Sequence, residues 1–261
     1  MIDNRVFREK RRELLSVYFP AGYPELNSLP DIVMALDGEA DIIEIGIPFS
    51  DPVADGTVIQ AANTRALANG ITLNTIFAQL RYVMDRIATP VFLMGYLNPI
   101  LHYGVEPFCQ QVASLGISGV IIPDLPLDYY EQNLKSIFTS NGVNVVFMVA
   151  PNTPNERIRR IDSVSCPFIY AMSSFAVTGG NALLTATHAS YLERLKGLEL
   201  RNPVLVGFGI GAPDTLAFAN SNANGAIVGT AFVNQLSNAA TSTEAVRALR
   251  IQLGLDINHK N

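Results

Sequence analysis

The sequence predicts an α/β protein with the fold of a (β/α)8, or TIM, barrel. Eight short apolar segments alternate with amphipathic helical patterns along the 261 residues. Most of these segments lack a strict alternation of apolar and polar residues, which is typical of parallel strands covered on both faces. The length is usual for such a barrel, and no linker-like stretch divides residues 1–261, so we expect a single domain.

The predicted elements follow one another in the order that a barrel requires. The strand segments are 14–19, 41–45, 90–94, 119–122, 144–149, 168–172, 203–206 and 226–228. The helical patterns include 57–68, 72–87, 106–115, 128–140, 154–163 and 243–253. Extra helical segments are expected at the N-terminus and in the connections after the second and eighth strands. An open doubly wound sheet is the alternative fold, but no GxGxxG turn follows the first strand.

The composition excludes several kinds of partner. With 18 Lys and Arg against 23 Asp and Glu, the formal net charge is −5, and only residues 8–12 form a basic run. Nucleic acid is therefore not an expected partner. No apolar run is long enough for a membrane span, and the first residues lack the apolar segment of a signal peptide. Cys109 and Cys166 form no CxxC pair and are interpreted as thiols of a reducing compartment, so we expect a cytoplasmic protein.

The first candidate catalytic residue is Glu44, which lies inside the apolar segment 41–45. Because side chains alternate along a strand, Glu44 would point into the barrel if Ile43 and Ile45 meet the helices. A buried ion pair is the alternative, but few cationic residues occupy strand positions from which they could pair with it. A carboxyl group in an apolar pocket has a raised pKa, which suits proton transfer near neutrality.

The second candidate is Asp55, in the loop that follows the Glu44 strand. Its alternative role is to cap the helix that begins at Thr57, because Asp commonly occupies that position. Asp51 in the same loop is a rival candidate, or a turn carboxylate that bonds its own backbone. Asp124 is a third acid at a strand end, and its alternative role is a hydrogen bond that fixes a loop.

Glycine-rich loops after three consecutive strands form a candidate phosphate site. Glycine lets backbone N–H groups approach an anion, and a following helix N-terminus adds its dipole. Barrels frequently bind phosphate after strands seven and eight, although glycines needed only for tight turns are the alternative. The candidate residues are Thr178 and Gly179 after the sixth strand, Gly207, Phe208 and Gly209 after the seventh, and Gly229 and Thr230 after the eighth.

Aromatic residues near the C-terminal strand ends form a weaker candidate site for a flat, apolar ring. They are Tyr18, Tyr96, Tyr170, Phe175 and Phe208, each of which alone could be ordinary core. Other chemistry is not expected. The three histidines lack metal-ligand spacing, the GxSxG elbow of a serine hydrolase is missing, and no lysine lies in a strand where it could form a Schiff base. Acid–base catalysis then remains as the way to break a carbon–carbon bond.

The sequence closely resembles the tryptophan synthase alpha subunit family. The strongest match is the stretch from Glu44 to Asp55, which reads EIGIPFSDPVAD. The resemblance recurs in the same order along nearly the whole chain. Further matching motifs are PAGYP at 20–24, QAAN at 60–63, LMGYLNP at 93–99, PDLP at 123–126, VTG at 177–179, GFGI at 207–210 and GTA at 229–231.

The resemblance implies a function for several of these residues. Members of the family cleave indole-3-glycerol phosphate to indole and glyceraldehyde 3-phosphate by a retro-aldol reaction without a cofactor. Glu44 and Asp55 match the family's catalytic acids, and Leu93 falls in a motif expected to contact substrate. The family pairs with a pyridoxal-phosphate beta subunit in an alpha2beta2 complex, so such a partner is expected here.

One departure concerns the loop after the sixth strand. The family usually reads GVTG there, whereas this chain has Ala176 before Val177-Thr178-Gly179, with the bulky Phe175 preceding it. Alanine lacks glycine's access to positive φ, so loop closure and its coupling to the partner are less firmly implied than the chemistry. Three alternatives stay open: a lyase that works alone, a non-catalytic phosphate-binding activator of a beta subunit, and a barrel isomerase for another sugar phosphate.

Overall fold

The computed structural model describes residues 5–52, 55–172, 186–207 and 209–256. Eight parallel strands form a closed barrel in chain order, which confirms the predicted fold. Each predicted strand boundary lies within one residue of the observed one. The strands are β1 Leu14–Pro20, β2 Ile42–Gly46, β3 Val91–Met94, β4 Gly119–Ile121, β5 Val145–Val149, β6 Ile169–Met172, β7 Val204–Gly207 and β8 Gly225–Val228.

Helices connect successive strands, and the extra helical segments lie where they were predicted. One helix precedes β1, two helices instead of one connect β2 to β3, and two helices follow β8. The helices are α1 Arg5–Glu9, α2 Leu29–Leu36, α3 Thr57–Ala68, α4 Leu73–Val83, α5 Leu97–Tyr103, α6 Val105–Ser114, α7 Leu127–Tyr129, α8 Lys135–Ser140, α9 Asn155–Val164, α10 Ala186–Gly197, α11 Pro213–Asn222, α12 Thr230–Asn238 and α13 Ser242–Gln252.

Two predicted helices are less regular than their sequence patterns indicated. The pattern at 128–140 is interrupted by a π-helical turn over Tyr130–Leu134 between α7 and α8. The pattern at 72–87 ends in a 3-10 turn, Met84–Arg86, after α4. No helix in the described ranges has both the length and the apolar character needed to cross a membrane.

The core has an inner layer within the barrel and an outer layer between strands and helices. Ile43 and Ile45 of β2 belong to the outer layer, and Ile42 belongs to the inner one. The side chain of Glu44 therefore faces the barrel interior, as the alternation predicted. The inner cluster comprises Leu14, Ile42, Phe92, Ile121, Val146, Phe168, Leu205 and Ile227.

Helix α1 closes the N-terminal end of the barrel. Val6 and Phe7 pack against the inner cluster, and the Phe7 ring stacks on Phe168 with a centroid separation of 5.6 Å. The C-terminal strand ends lie at the opposite end, where a barrel of this fold carries its active site. Of the candidate residues, Glu44, Asp55, Gly207 and Gly229 lie in or just after the C-terminal parts of their strands.

Candidate active site

Glu44 is completely buried and is tied to the neighbouring strand by one hydrogen bond. The Ser16 hydroxyl donates to its Oε1 atom at 2.6 Å, whereas Oε2 is buried without a partner in the part of the chain that is described. Burial raises the pKa of Glu44 from 4.5 to about 7, and the Ser16 bond lowers it. None of the ion pairs among the described residues involves Glu44, so the buried ion-pair alternative is not supported. A group with this pKa can both give and take a proton near neutrality.

Asp55 is directed at helix α3 from the loop that carries it. The Asn63 amide donates to its carboxylate at 3.2 Å, and the Gln60 amide donates to its backbone oxygen at 2.8 Å. Burial raises the pKa of Asp55, and the Asn63 bond lowers it. The capping alternative is not supported, because the residue at the cap position is Gly56 and the helix start has no side-chain cap hydrogen bond.

The other two acids have local structural partners. The Ser50 hydroxyl donates to Asp51, which is exposed. The Asp124 carboxylate accepts a hydrogen bond at 2.8 Å from the backbone N–H of Leu97, the first residue of α5. Asp124 therefore ties the loop after β4 to the helix after β3, which is the loop-fixing role left open by the sequence.

Two tyrosines lie beside both candidate acids, Tyr18 buried and Tyr170 partly buried. Tyr18 is paired with Glu44 in the β1–β2 register, and Tyr170 lies on β6 across the barrel. Burial raises the pKa of each phenol well above its ordinary value, and the nearby charges of Asp55 and Glu44 raise it further. The fold thus brings Glu44, Asp55, Tyr18 and Tyr170 near one another. Tyr96 lies at the rim, with its ring 5.0 Å from that of Phe49.

The prediction that Leu93 contacts substrate requires correction. Leu93 belongs to the outer layer, whereas its neighbour Phe92 belongs to the inner cluster and Met94 packs against that cluster. Alternate residues of a strand face opposite sides, so Leu93 faces the helices rather than the barrel interior. Phe92 and Met94 are the β3 side chains that line the interior.

Two strand-end glycines make room for the tyrosines. A Cβ atom added at Gly46 would lie 2.3 Å from the Tyr18 hydroxyl oxygen, and one added at Gly207 would lie 2.4 Å from that of Tyr170. Each hydroxyl therefore lies against the glycine at the end of the next strand. Gly207 was predicted to bind phosphate, but its packing against Tyr170 requires glycine whether or not phosphate binds there. Neither requirement could be read from the sequence, because each depends on which strands are neighbours.

The glycine that follows β8 lies against Tyr18. Gly229 precedes α12, whose first residue is Thr230, so the unpaired N–H groups of this helix start lie beside it. A Cβ atom at Gly229 would come within 3.2 Å of the Tyr18 ring. Gly209 has a φ of +38°, a conformation that favours glycine. Phe208, Thr178, Gly179 and residues 175–176 lie outside the described residues.

Sequence reasoning missed two polar residues, Ser16 and Asn63, which hydrogen-bond the two acids. The polar character of Ser16 within an apolar strand was the only available signal for it. Among the described residues no group of three or more His, Cys, Asp or Glu side chains could hold a metal ion. Fold and site together define a class: a (β/α)8-barrel enzyme with two carboxyl groups near the open end of the barrel.

Comparisons with known proteins identify the family. The family model described as tryptophan synthase alpha chain matches residues 5–258. The tryptophan synthase alpha chain of Flavobacterium johnsoniae is 47% identical, over 89% of this chain and 92% of its own length. That of Bacteroides fragilis is 43% identical, over 98% of this chain and 97% of its own. This chain therefore belongs to the tryptophan synthase alpha chain family, whose members are lyases that cleave indole-3-glycerol phosphate.

Solved structures agree with this assignment. A tryptophan synthase alpha subunit from Pyrococcus furiosus superimposes with a TM-score of 0.85 at 34% identity, covering 94% of this chain and 99% of that one. A structure described as the mutually activating tryptophan synthase a2b2 complex of the same organism matches with a TM-score of 0.84 at 35% identity, covering 93% and 97% of the two chains.

Proposed function

We propose that Glu44 and Asp55 perform the family's reaction in this chain, the retro-aldol cleavage of indole-3-glycerol phosphate to indole and glyceraldehyde 3-phosphate without a cofactor. The observation that carries the proposal is a fully buried carboxyl group in the barrel interior whose pKa is about 7. A group held near neutrality is suited to act as acid and base in turn.

Two proton movements by Glu44 account for the bond that breaks. The acid form of Glu44 first gives its proton to indole C3, which leaves the ring nitrogen positively charged. The resulting carboxylate then takes the proton of the glycerol hydroxyl next to the breaking bond. The carbon–carbon electron pair returns to the ring as the aldehyde forms, so Glu44 ends in its starting acid form.

Asp55 is suited to stabilise the positive ring that exists between these steps. As a carboxylate it would accept a hydrogen bond from the indole N–H, an interaction that strengthens as charge develops there. The Asn63 bond supports this role, because it favours the ionised form against the effect of burial. Tyr18, Tyr96 and Tyr170 would enclose the flat ring, together with the interior side chains of β3.

The substrate phosphate is assigned to the loops above β7 and β8. Gly229 and Thr230 would offer the backbone N–H groups at the start of α12, where the helix dipole also favours an anion. Gly207 at the end of β7 and Gly209 after it, with Phe208, Thr178 and Gly179, complete the proposed set. Binding the phosphate at a distance would position the reacting bond against Glu44.

A beta subunit is the proposed partner, and the cytoplasm the proposed location. The Pyrococcus furiosus relative is described as part of a mutually activating a2b2 complex. Indole is small and apolar, so direct transfer to a partner that consumes it would prevent its loss. A lyase that works alone, and a non-catalytic activator of the partner, remain as alternatives that a turnover assay separates.

The test is indole release from indole-3-glycerol phosphate, measured with and without a cognate beta subunit. Glu44→Gln should lower kcat by at least about 100-fold. Asp55→Asn should raise the activation free energy by roughly 2–4 kcal/mol. Both variants should bind glycerol phosphate with nearly unchanged affinity. Glu156→Gln, on the exposed start of α9, is the matched control and should retain full activity. Near-normal turnover by Glu44→Gln would contradict the proposed mechanism. Equal rates with and without the beta subunit would contradict the proposal that a beta subunit is the partner.

A further inference from the structure

Ser16 is a buried polar residue that the proposed mechanism does not yet use. It lies on β1 between Leu14 and Tyr18 on the inward face, it is fully buried, and the inner cluster beside it is made of apolar side chains. Burying a hydroxyl group in such a place is costly unless the hydroxyl is hydrogen-bonded. Its recorded partner is the Oε1 atom of Glu44, at 2.6 Å.

The bond runs diagonally between two neighbouring strands. In the β1–β2 register, Ser16 is opposite Ile42, and Glu44 is opposite Tyr18. The Oε1 atom of Glu44 is therefore held by a residue two positions before its own register partner on β1. Because both strands are hydrogen-bonded in this register along their length, the serine is a fixed anchor rather than a mobile one.

We infer that Ser16 is a positioning residue for the lyase reaction: its hydroxyl fixes Oε1 of Glu44 and leaves Oε2 to exchange the proton with the substrate. The inference rests on the proposed catalytic role of Glu44. Because Oε1 accepts a hydrogen bond from the Ser16 hydroxyl, the carboxyl proton of the acid form is assigned to Oε2. Oε2 is buried and has no hydrogen-bond partner among the residues described, which leaves it available to a bound substrate.

Ser16 also sets the basicity of Glu44. A hydroxyl that donates to a carboxylate stabilises the ionised form more than the acid form, and so opposes the effect of burial on the pKa. Among the described residues, the other titratable groups facing this site are Tyr18 on β1, Tyr170 on β6 and Asp55 in the loop after β2. Substitution of Ser16 leaves these three groups in place, so a change in titration can be assigned to the lost hydroxyl.

The experiment compares Ser16→Ala, which removes the hydroxyl, with Ser16→Thr, which retains it in a residue suited to strands. The first proton step needs the acid form of Glu44, so kcat/KM should fall as the pH rises through its pKa. In Ser16→Ala this alkaline limb should move up by about one pH unit, and kcat should fall by about tenfold, while KM changes little. Ser16→Thr should keep the limb of the parent chain. Carbon-13 NMR of labelled glutamate should show the same displacement without substrate.

An unmoved limb and an unmoved NMR titration in Ser16→Ala would overturn the inference, even if kcat falls, because a merely structural serine lowers activity equally at every pH. Glu44→Gln separates this failure from that of the proposed function. An inactive Glu44→Gln with an unmoved Ser16→Ala limb refutes only the role of Ser16. A Glu44→Gln chain that keeps both the rate and the limb refutes the role of Glu44 itself.

Discussion

Replacing Glu44 by Gln should make the stability of the protein less sensitive to pH. Burial raises the pKa of this carboxyl group from 4.5 to about 7, so the folded protein binds its proton more tightly than the unfolded chain does. The stability that this group contributes is therefore fully present below about pH 4.5 and is lost as the pH rises through about 7. Gln has nearly the same shape, and it has no proton to lose.

The magnitude follows from the two pKa values. Between about pH 5 and about pH 8.5, linkage predicts that the parent chain loses about 2.5 kcal/mol that Glu44→Gln keeps. The physical origin of the loss is that unfolding returns the charged carboxylate to water, whereas folding at high pH keeps it in an apolar interior. Ser16 supplies one hydrogen bond to that charge, and the unpaired Oε2 receives none from the described residues.

The assay is urea unfolding of both chains, followed by circular dichroism at each pH. Only the difference between the two chains is used, because the carboxylates they share cancel. Glu156→Gln, on the exposed surface, is the control for the loss of one carboxyl group from the chain. If the difference in the free energy of unfolding between Glu44→Gln and the parent does not widen as the pH rises, the raised pKa of Glu44 is refuted. If that difference narrows, the fold favours the charged form of Glu44.

The second acid and its neighbouring tyrosine pocket give two further predictions. Asn63→Ala removes the amide that donates to the Asp55 carboxylate, so kcat for indole release should fall by about tenfold while the affinity for glycerol phosphate is retained. An unchanged kcat would refute the positioning of Asp55 by Asn63. Gly207→Ala places a Cβ atom 2.4 Å from the Tyr170 hydroxyl oxygen, so the ring must move and kcat/KM should fall by at least about tenfold. Gly197→Ala, where a Cβ atom would meet open space, is the control. Equal kcat/KM values for the two variants would contradict this packing.

The fold could be predicted from sequence because its signals are local. Each strand is a short apolar segment between helical patterns, and eight such segments fit one closed barrel. The inward direction of Glu44 followed from alternation with Ile43 and Ile45 alone. The π-helical turn over Tyr130–Leu134 gave no signal, because an inserted turn leaves the spacing of apolar residues nearly helical.

The partners of the two acids could not be predicted, because they come from other parts of the chain. Ser16 precedes Glu44 by a full βα unit, and only the register of β1 against β2 brings them together. Asn63 follows Asp55 on α3, where the direction of the loop decides whether the two side chains meet. Leu93 shows the opposite error: its motif is contiguous in sequence, but a strand divides such a motif between two faces.

The glycines show why a motif and a packing requirement are hard to separate. Gly46 falls inside the family signature, yet its structural reason is the Tyr18 hydroxyl, and Gly229 lies against the ring of the same tyrosine. One buried side chain therefore lies between the strand that carries Glu44 and the start of α12. A substrate held by its phosphate at α12 and cleaved at Glu44 would lie across this ring. Tyr18 would then set the spacing between Glu44 and the phosphate position as well as enclose the substrate's apolar part.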